Sequence, residues 1–176
     1  ILGIAFTTIV LASAMNTKPV PGHTSMSKPD VKDSLLIASR PVKLSHAVKT
    51  SDLEKSIFEK INQYRVSKKL PKLKLDSKIS KQARIHSQNM AKHQVPFSHN
   101  GFAKRVNGIS IRYKSASENV AFNFGYEDPV AEAMRGWIES PGHLKNIKGK
   151  YNLTGIGVAV NSEDEYFLTL IFIRSK

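Results

Sequence analysis

The feature that most constrains this chain is a change of period. Leu53, Ile57, Ile61 and Tyr64 recur every three or four positions, as the buried face of a helix requires. Ile79, Ala83, His86 and Met90 form a second such stripe, with Asp76 placed to cap its first turn and Pro96 beyond its end. A third runs through Val130, Ala133, Met134, Trp137 and Ile138, opened by Asp128-Pro129 and stopped by Pro141-Gly142. After residue 153 the period falls to two. Ile156, Val158 and Val160 alternate with small residues, Tyr166 to Ile173 is rich in β-formers, and the polar stretch Asn161–Glu165 is short enough to join two antiparallel strands as a hairpin. Helices followed by a terminal hairpin predict the α+β class.

The boundaries follow from punctuation. Ser51-Asp52-Leu53-Glu54 matches a capping box and predicts a helix start. Residues 15–48 carry Pro19, Pro21, Pro29 and Pro41 among Lys, Ser and Thr without apolar periodicity, and read as a linker in which Ser34–Ala38 could be a short strand or docking patch. Residues 1–14 are uncharged and end in Ala12-Ser13-Ala14, the small-x-small pattern of a processing site, which reads as a signal peptide with its start trimmed. One domain over 49–176 is expected, because 176 residues with 40% hydrophobic side chains supply one ordinary core.

An exported chain without a single cysteine must be held together by packing and hydrogen bonds, a pattern that suits bacterial secretion. Lys and Arg outnumber Asp and Glu by 27 to 14, so the formal charge of +13 attracts polyanions. Outside the cytoplasm those are envelope polymers or acidic lipids. Specific nucleic-acid binding is not expected, since the basic residues are dispersed along the chain without an aromatic-rich motif.

Four short signatures stand in order: Phe97-Ser98-His99-Asn100-Gly101, Ser117-Glu118-Asn119-Val120-Ala121, Trp137-Ile138-Glu139-Ser140-Pro141-Gly142-His143, and Thr154-Gly155-Ile156-Gly157-Val158-Ala159. They follow helices carrying Asn62-Gln63-Tyr64-Arg65 and His86-Ser87-Gln88-Asn89-Met90. Over about residues 52–173 the chain thereby resembles the CAP superfamily of cysteine-rich secretory, antigen 5 and pathogenesis-related 1 proteins, in its bacterial cysteine-free SCP-like form. The resemblance implies a three-layer α-β-α sandwich with a central antiparallel sheet. It also implies a cleft with two histidines and one or two acids, which sometimes holds a divalent cation.

Carried over residue by residue, the cleft histidines fall on His99 and His143 and the acid on Glu118. Two imidazoles and a carboxylate can serve as acid and base near neutral pH, or the histidines can ligate zinc with an open position for water. Each residue also has an architectural reading. His99 could bond a turn, Glu118 could cap a helix or loop beside a backbone-clamping Asn119, and His143 could sit on a turn facing the cleft or begin a short helix. His86 reads as a hydrogen-bonded core histidine. The chain departs from the pattern where the relatives' second Glu becomes Ser140, with Glu139 one residue earlier and about 100° away on a helix. Leu168-Thr169-Leu170 stands where the relatives commonly carry Trp-Thr-Gln, which removes a polar side chain and predicts a more apolar end to the cleft.

Three functions are compatible with these residues. The first is a secreted or envelope-associated binding module for a lipid, glycan or protein partner. The second is an extracellular hydrolase using zinc on His99 and His143, with Glu118 activating water. The third is a basic protein that holds an envelope polyanion or makes peripheral membrane contact. No His-Glu-x-x-His, Gly-x-Ser-x-Gly or phosphate-loop motif is present, which removes the usual warrant for a zinc protease, serine hydrolase or nucleotide enzyme.

Overall fold

The structure, a computed structural model, describes residues 49–176. The signal-peptide and linker expectations lie outside the described residues. The elements run α1 (Thr50–Ser67), β1 (Lys74–Leu75), α2 (Ser77–Ala91), α3 (Phe102–Asn107), β2 (Tyr113–Asn123), α4 (Pro129–Glu139), α5 (Pro141–Ile147), β3 (Leu153–Val160) and β4 (Tyr166–Ser175).

The sheet order is β1-β3-β4-β2, antiparallel except for the two-residue parallel pair β1·β3. β4 lies inside the sheet and is buried on both faces, which is why its sequence is apolar almost throughout. Leu168, Leu170 and Phe172 join Ile57, Ile61, Met134 and Trp137 under α1 and α4, while Ile171 and Ile173 join Ile79, Ala83 and Val106 under α2 and α3. Helices thus cover both faces, and the three-layer α-β-α sandwich follows.

The approach of α2 to β3 is set by glycine. A Cβ on Gly155 would overlap the backbone of Ile79 and Ser80, and one on Gly157 the backbone of Ala83 and Arg84. Since β1 covers only the first two residues of β3, side chains from α1 and α2 bond three of its further backbone groups. Ser80 Oγ accepts from Ile156 N at 3.3 Å, Glu54 Oε1 accepts from Val158 N at 3.2 Å, and Ser87 Oγ donates to Gly157 O at 2.9 Å.

That use of Glu54 corrects the expected capping box. Helix α1 begins at Thr50 after Lys49, with no side-chain cap. Glu54 instead turns inward and takes a two-pronged bond from Arg84, 2.9 Å from Nε to Oε1 and 2.6 Å from Nη2 to Oε2. A charge-assisted bond in a half-dry site outweighs a local turn contact. The Asp76 cap is present as expected, its Oδ1 accepting from Lys78 N and Ile79 N at 2.9 and 3.0 Å.

β2 is the element that the sequence concealed. Its outer-edge position allows Lys114, Ser115, Ser117, Glu118 and Asn119 within one strand, so no apolar alternation marks it. Ten register pairs with β4, from Tyr113↔Ser175 to Asn123↔Tyr166, define it.

Candidate functional site

The residues expected to line the cleft gather at the outer edge of β2. Alternate β2 residues face opposite layers. Val120 packs with Met90 of α2, whereas Asn119 reaches His143 and Asn146 of α5. His99 enters from the loop between α2 and α3, and His143 from α5. Their ring centroids are 6.5 Å apart. Residues 44 positions apart in the chain therefore converge because the edge of a sandwich exposes both layers at once.

Glu118 is a β2 residue, not a helix or loop cap, and its side chain is 1% exposed. Oε1 accepts from a ring nitrogen, His99 Nδ1, at 3.0 Å, and both oxygens accept from Arg105, at 2.7 Å from Nη2 and 3.0 Å from Nε. Arg105 also donates to Asn100 O at 2.7 Å, closing the loop that carries His99. Sequence reading missed Arg105. A buried carboxylate demands a cation, but nothing in the linear order of α3 says which basic residue supplies it.

The histidines differ in what they offer. A carboxylate only accepts, so His99 places its proton on Nδ1, and in the neutral ring Nε2 carries a lone pair. His143 Nδ1 is buried without a partner. An orphaned donor costs more than an orphaned lone pair, which puts the proton of the neutral ring on Nε2. The His143 pKa is pushed down by burial and then by the neighbouring His99, so the neutral form prevails near pH 7. With both rings neutral, one wall of the cleft accepts hydrogen bonds and the other donates them.

Behind this pair stands a rigid polar frame. Asn119, fully buried, donates to His143 O at 3.2 Å and accepts from Asn146 Nδ2 at 2.8 Å. The Trp137 indole donates to Val120 O at 3.0 Å and pins α4 to β2. His86, buried as expected, bonds Ser98 O through Nε2 at 2.8 Å and so anchors the residue preceding His99.

Pro141-Gly142 both stops α4 and opens α5, so the two readings of His143 coincide: it begins a short helix and faces the cleft. Glu139 points to solvent and pairs with Arg135 at 3.1 Å, so it supplies no second acid. The more apolar cleft end expected from Leu168 and Leu170 is not formed. Both enter the main core, and Thr169 between them bonds Ser87.

An apolar cavity of about 460 Å³ lies beside the cleft, lined by Met90, Val95, Pro96, Phe97, Phe122 and Phe167 together with His93 and Glu165. It excludes the two cleft histidines but shares their loop, since Phe97 stands two residues before His99. Phe122 projects from the same face of β2 as Glu118, and its ring lies 6.2 Å from that of Phe97.

Zinc does not suit this donor set. Among the described residues no three His, Cys, Asp or Glu side chains are grouped to hold a metal. Glu118 is engaged by Arg105, whose charge opposes a second cation, and two imidazoles fall short of the three protein ligands of a catalytic zinc site. Arg105→Gln is accordingly expected to create zinc affinity that the parent lacks. Calorimetric titration checks this, and micromolar zinc binding by the parent would contradict the donor-set argument.

The titrations of His86 and His143 have a stability consequence. Both pKa values are lowered, in each case first by burial, with Arg105 adding to the effect on His86 and His99 to that on His143. The unfolded chain then binds more protons than the folded one as pH falls through about 6.5, so stability is full above that pH and declines below it. Melting temperatures at pH 7.5 and 5.5 should show the loss, and His143→Gln should reduce it. An unchanged pH dependence in that variant would remove His143 from the account.

Comparison with known proteins agrees with the fold. The family profile described as the Cysteine-rich secretory protein family, CAP, matches residues 58–172. The chain is 37% identical over 113 residues to the uncharacterized protein YkwD of Bacillus subtilis, which covers 61% of this chain and 42% of that protein. A crystal structure of an extracellular protein containing an SCP domain from Bacillus anthracis superposes with a TM-score of 0.59 at 28% identity, covering 71% of this chain and 41% of that one. An outer surface protein of Borrelia burgdorferi shares the fold at 17% identity with a TM-score of 0.65, covering 73% of this chain and 97% of that one. The chain therefore spans less than half the length of the two Bacillus proteins.

Proposed function

This chain belongs to the CAP family, and from that premise we propose that it is a binding module acting outside the cytoplasm, whose cleft takes the polar group of an amphipathic ligand. The observation that carries this reading is the double engagement of Glu118. A carboxylate held on both oxygens by a guanidinium, with an imidazole bonded to one of them, is poorly placed to accept a proton from water, and no activated nucleophile faces it. What remains accessible is a matched acceptor and donor, His99 Nε2 and His143 Nε2–H, suited to a hydroxyl or amide that both gives and receives a hydrogen bond. The neighbouring phenylalanine-lined cavity favours an apolar portion on the same ligand. Among lipid, glycan and protein partners, a hydroxyl-bearing lipid fits both halves. Action outside the cytoplasm is supported by the description of the Bacillus anthracis relative as extracellular.

The test is a titration of purified protein with detergent-solubilised monoacylglycerol, reading the ring signals of His99 and His143 by NMR. Saturable shifts at both rings, abolished by His99→Ala, are expected. Turnover of an ester at the cleft would replace the binding reading with the hydrolytic one. Shifts caused equally by a short glycan without an acyl chain would remove the apolar half.

A further inference from the structure

The chain's basic residues, dispersed in sequence, are gathered in space. Segments 66–75 and 140–152 contain no acid and carry seven lysines, 68, 69, 72, 74, 145, 148 and 150. Arg65 fastens these segments together. Its buried guanidinium donates to Pro71 O at 2.9 Å on one side, and to Ile147 O and Gly149 O at 2.7 and 3.0 Å on the other. The parallel pairing Lys74↔Leu153 continues the junction. Asn152 then joins Ser175 by two bonds of 2.9 Å, and Lys176 N donates to Arg112 O at 3.0 Å, which brings Arg112, Arg174 and Lys176 to the same end of the sheet.

Five acids lie at the other end, while Asp76, which follows β1, is taken up in capping α2. The pairings Val160↔Tyr166 and Asn123↔Tyr166 place the β3–β4 hairpin with Glu163, Asp164 and Glu165 beside the β2–α4 loop with Glu127 and Asp128. The ten residues of β4 separate the two ends by about 30 Å, several times the ~8 Å screening length at physiological salt. The acidic end therefore leaves the basic end uncancelled. Among the described residues, Lys68, Lys69, Lys72, Lys148 and Lys150 are exposed and none has a carboxylate within ion-pairing distance.

We infer that this basic end is a docking surface for a flexible phosphate polymer, separate from the His99–His143 cleft. Lysines bind phosphate as mobile point charges and need no preformed cavity, which suits charges repeating along a pliant chain. A bilayer fits less well, because the exposed aromatics Phe97, Phe122, Phe124 and Tyr126, which suit a lipid interface, belong to the opposite half of the molecule, and of large apolar side chains the basic segment 66–75 exposes only the aliphatic Val66 and Leu75. Nucleic acid also fits less well, since no exposed aromatic ring is interleaved with these lysines to stack on bases.

The test uses the full chain and inorganic polyphosphate of defined length, titrated from 50 to 300 mM salt. A variant with Lys68, Lys72, Lys148 and Lys150 all changed to Gln is compared with one changed in the same way at Lys55, Lys60, Lys81 and Lys92, which loses the same charge from α1, α2 and the residue just after α2. The first should bind at least tenfold more weakly than the parent at 100 mM salt, with a shallower dependence of log K on log salt; the second should change less than threefold. Equal loss in both would reduce the effect to net charge and overturn the inference. So would tighter binding to phosphatidylglycerol vesicles, or to a single-stranded DNA of matched charge. Should the fourfold variant melt early, Lys148→Glu with Lys150→Glu gives the same readout, with the same loss expected and its absence equally decisive.

Discussion

Gly157→Ala is expected to destabilise the domain by at least about 3 kcal/mol, lowering the melting temperature by about 10 °C or more. Ordinary overpacking costs about 1–3 kcal/mol because side chains give way. Here the added methyl would meet the backbone of Ala83 and Arg84, which cannot rotate aside. Relief would require α2 to lift from β3. That movement would break the Ser87–Gly157 and Ser80–Ile156 bonds and expose the Ile79–Ala83 face. Gly136→Ala is the matching control, since a Cβ there meets nothing within 4 Å and alanine favours helix. Denaturant unfolding of both variants checks the claim. A Gly157→Ala midpoint equal to that of the parent would show that the helix is not seated as closely as described.

The second large effect concerns Arg65, which is 1% exposed and bonds four carbonyls, those of Pro71, Ile147, Gly149 and Tyr151, with no carboxylate among its partners. Burial pushes its pKa down from the usual value, yet the guanidinium keeps its charge at any pH that proteins meet. Arg65→Met should cost about 3–5 kcal/mol, because four carbonyls lose a donor while the methionine fills only the volume. Arg65→Lys should recover little of this, since one ammonium cannot span carbonyls on two segments. Full stability in the lysine variant would mean that charge matters and the fork does not. Loss of Arg65 should also weaken the cleft, because the carbonyl of Ile147 that it holds ends the helix carrying His143.

Local rules read α2, α4 and the β3–β4 hairpin correctly because each has its own period and punctuation: an Asp cap, an Asp-Pro start, a short polar turn. The same rules misread Glu54. Ser51 and Glu54 have the spacing of a capping box, and only the arrival of Arg84 and Val158 from distant segments decides that the carboxylate turns inward. They passed over β2 because an edge strand need not alternate. For the cleft, His99, Glu118 and His143 were legible as residue types through family resemblance, while Arg105, which decides what Glu118 can do, was not. A buried anion fixes the charge of its partner and not its position in the chain.

The amino-acid order by itself determined that α1, α2 and α4 are helical and that β3 and β4 form a hairpin, since period, caps and breakers act within a few residues. It also determined that the chain carries an excess of cations. Tertiary structure alone decided that two histidines 44 positions apart face one hollow, that Glu118 is held as a fixed anion, and that lysines spread over several segments share one end of the sheet. Those outcomes depend on sheet order and on which helix covers which face, and burial and hydrogen bonding fix these only when distant parts of the chain are in contact.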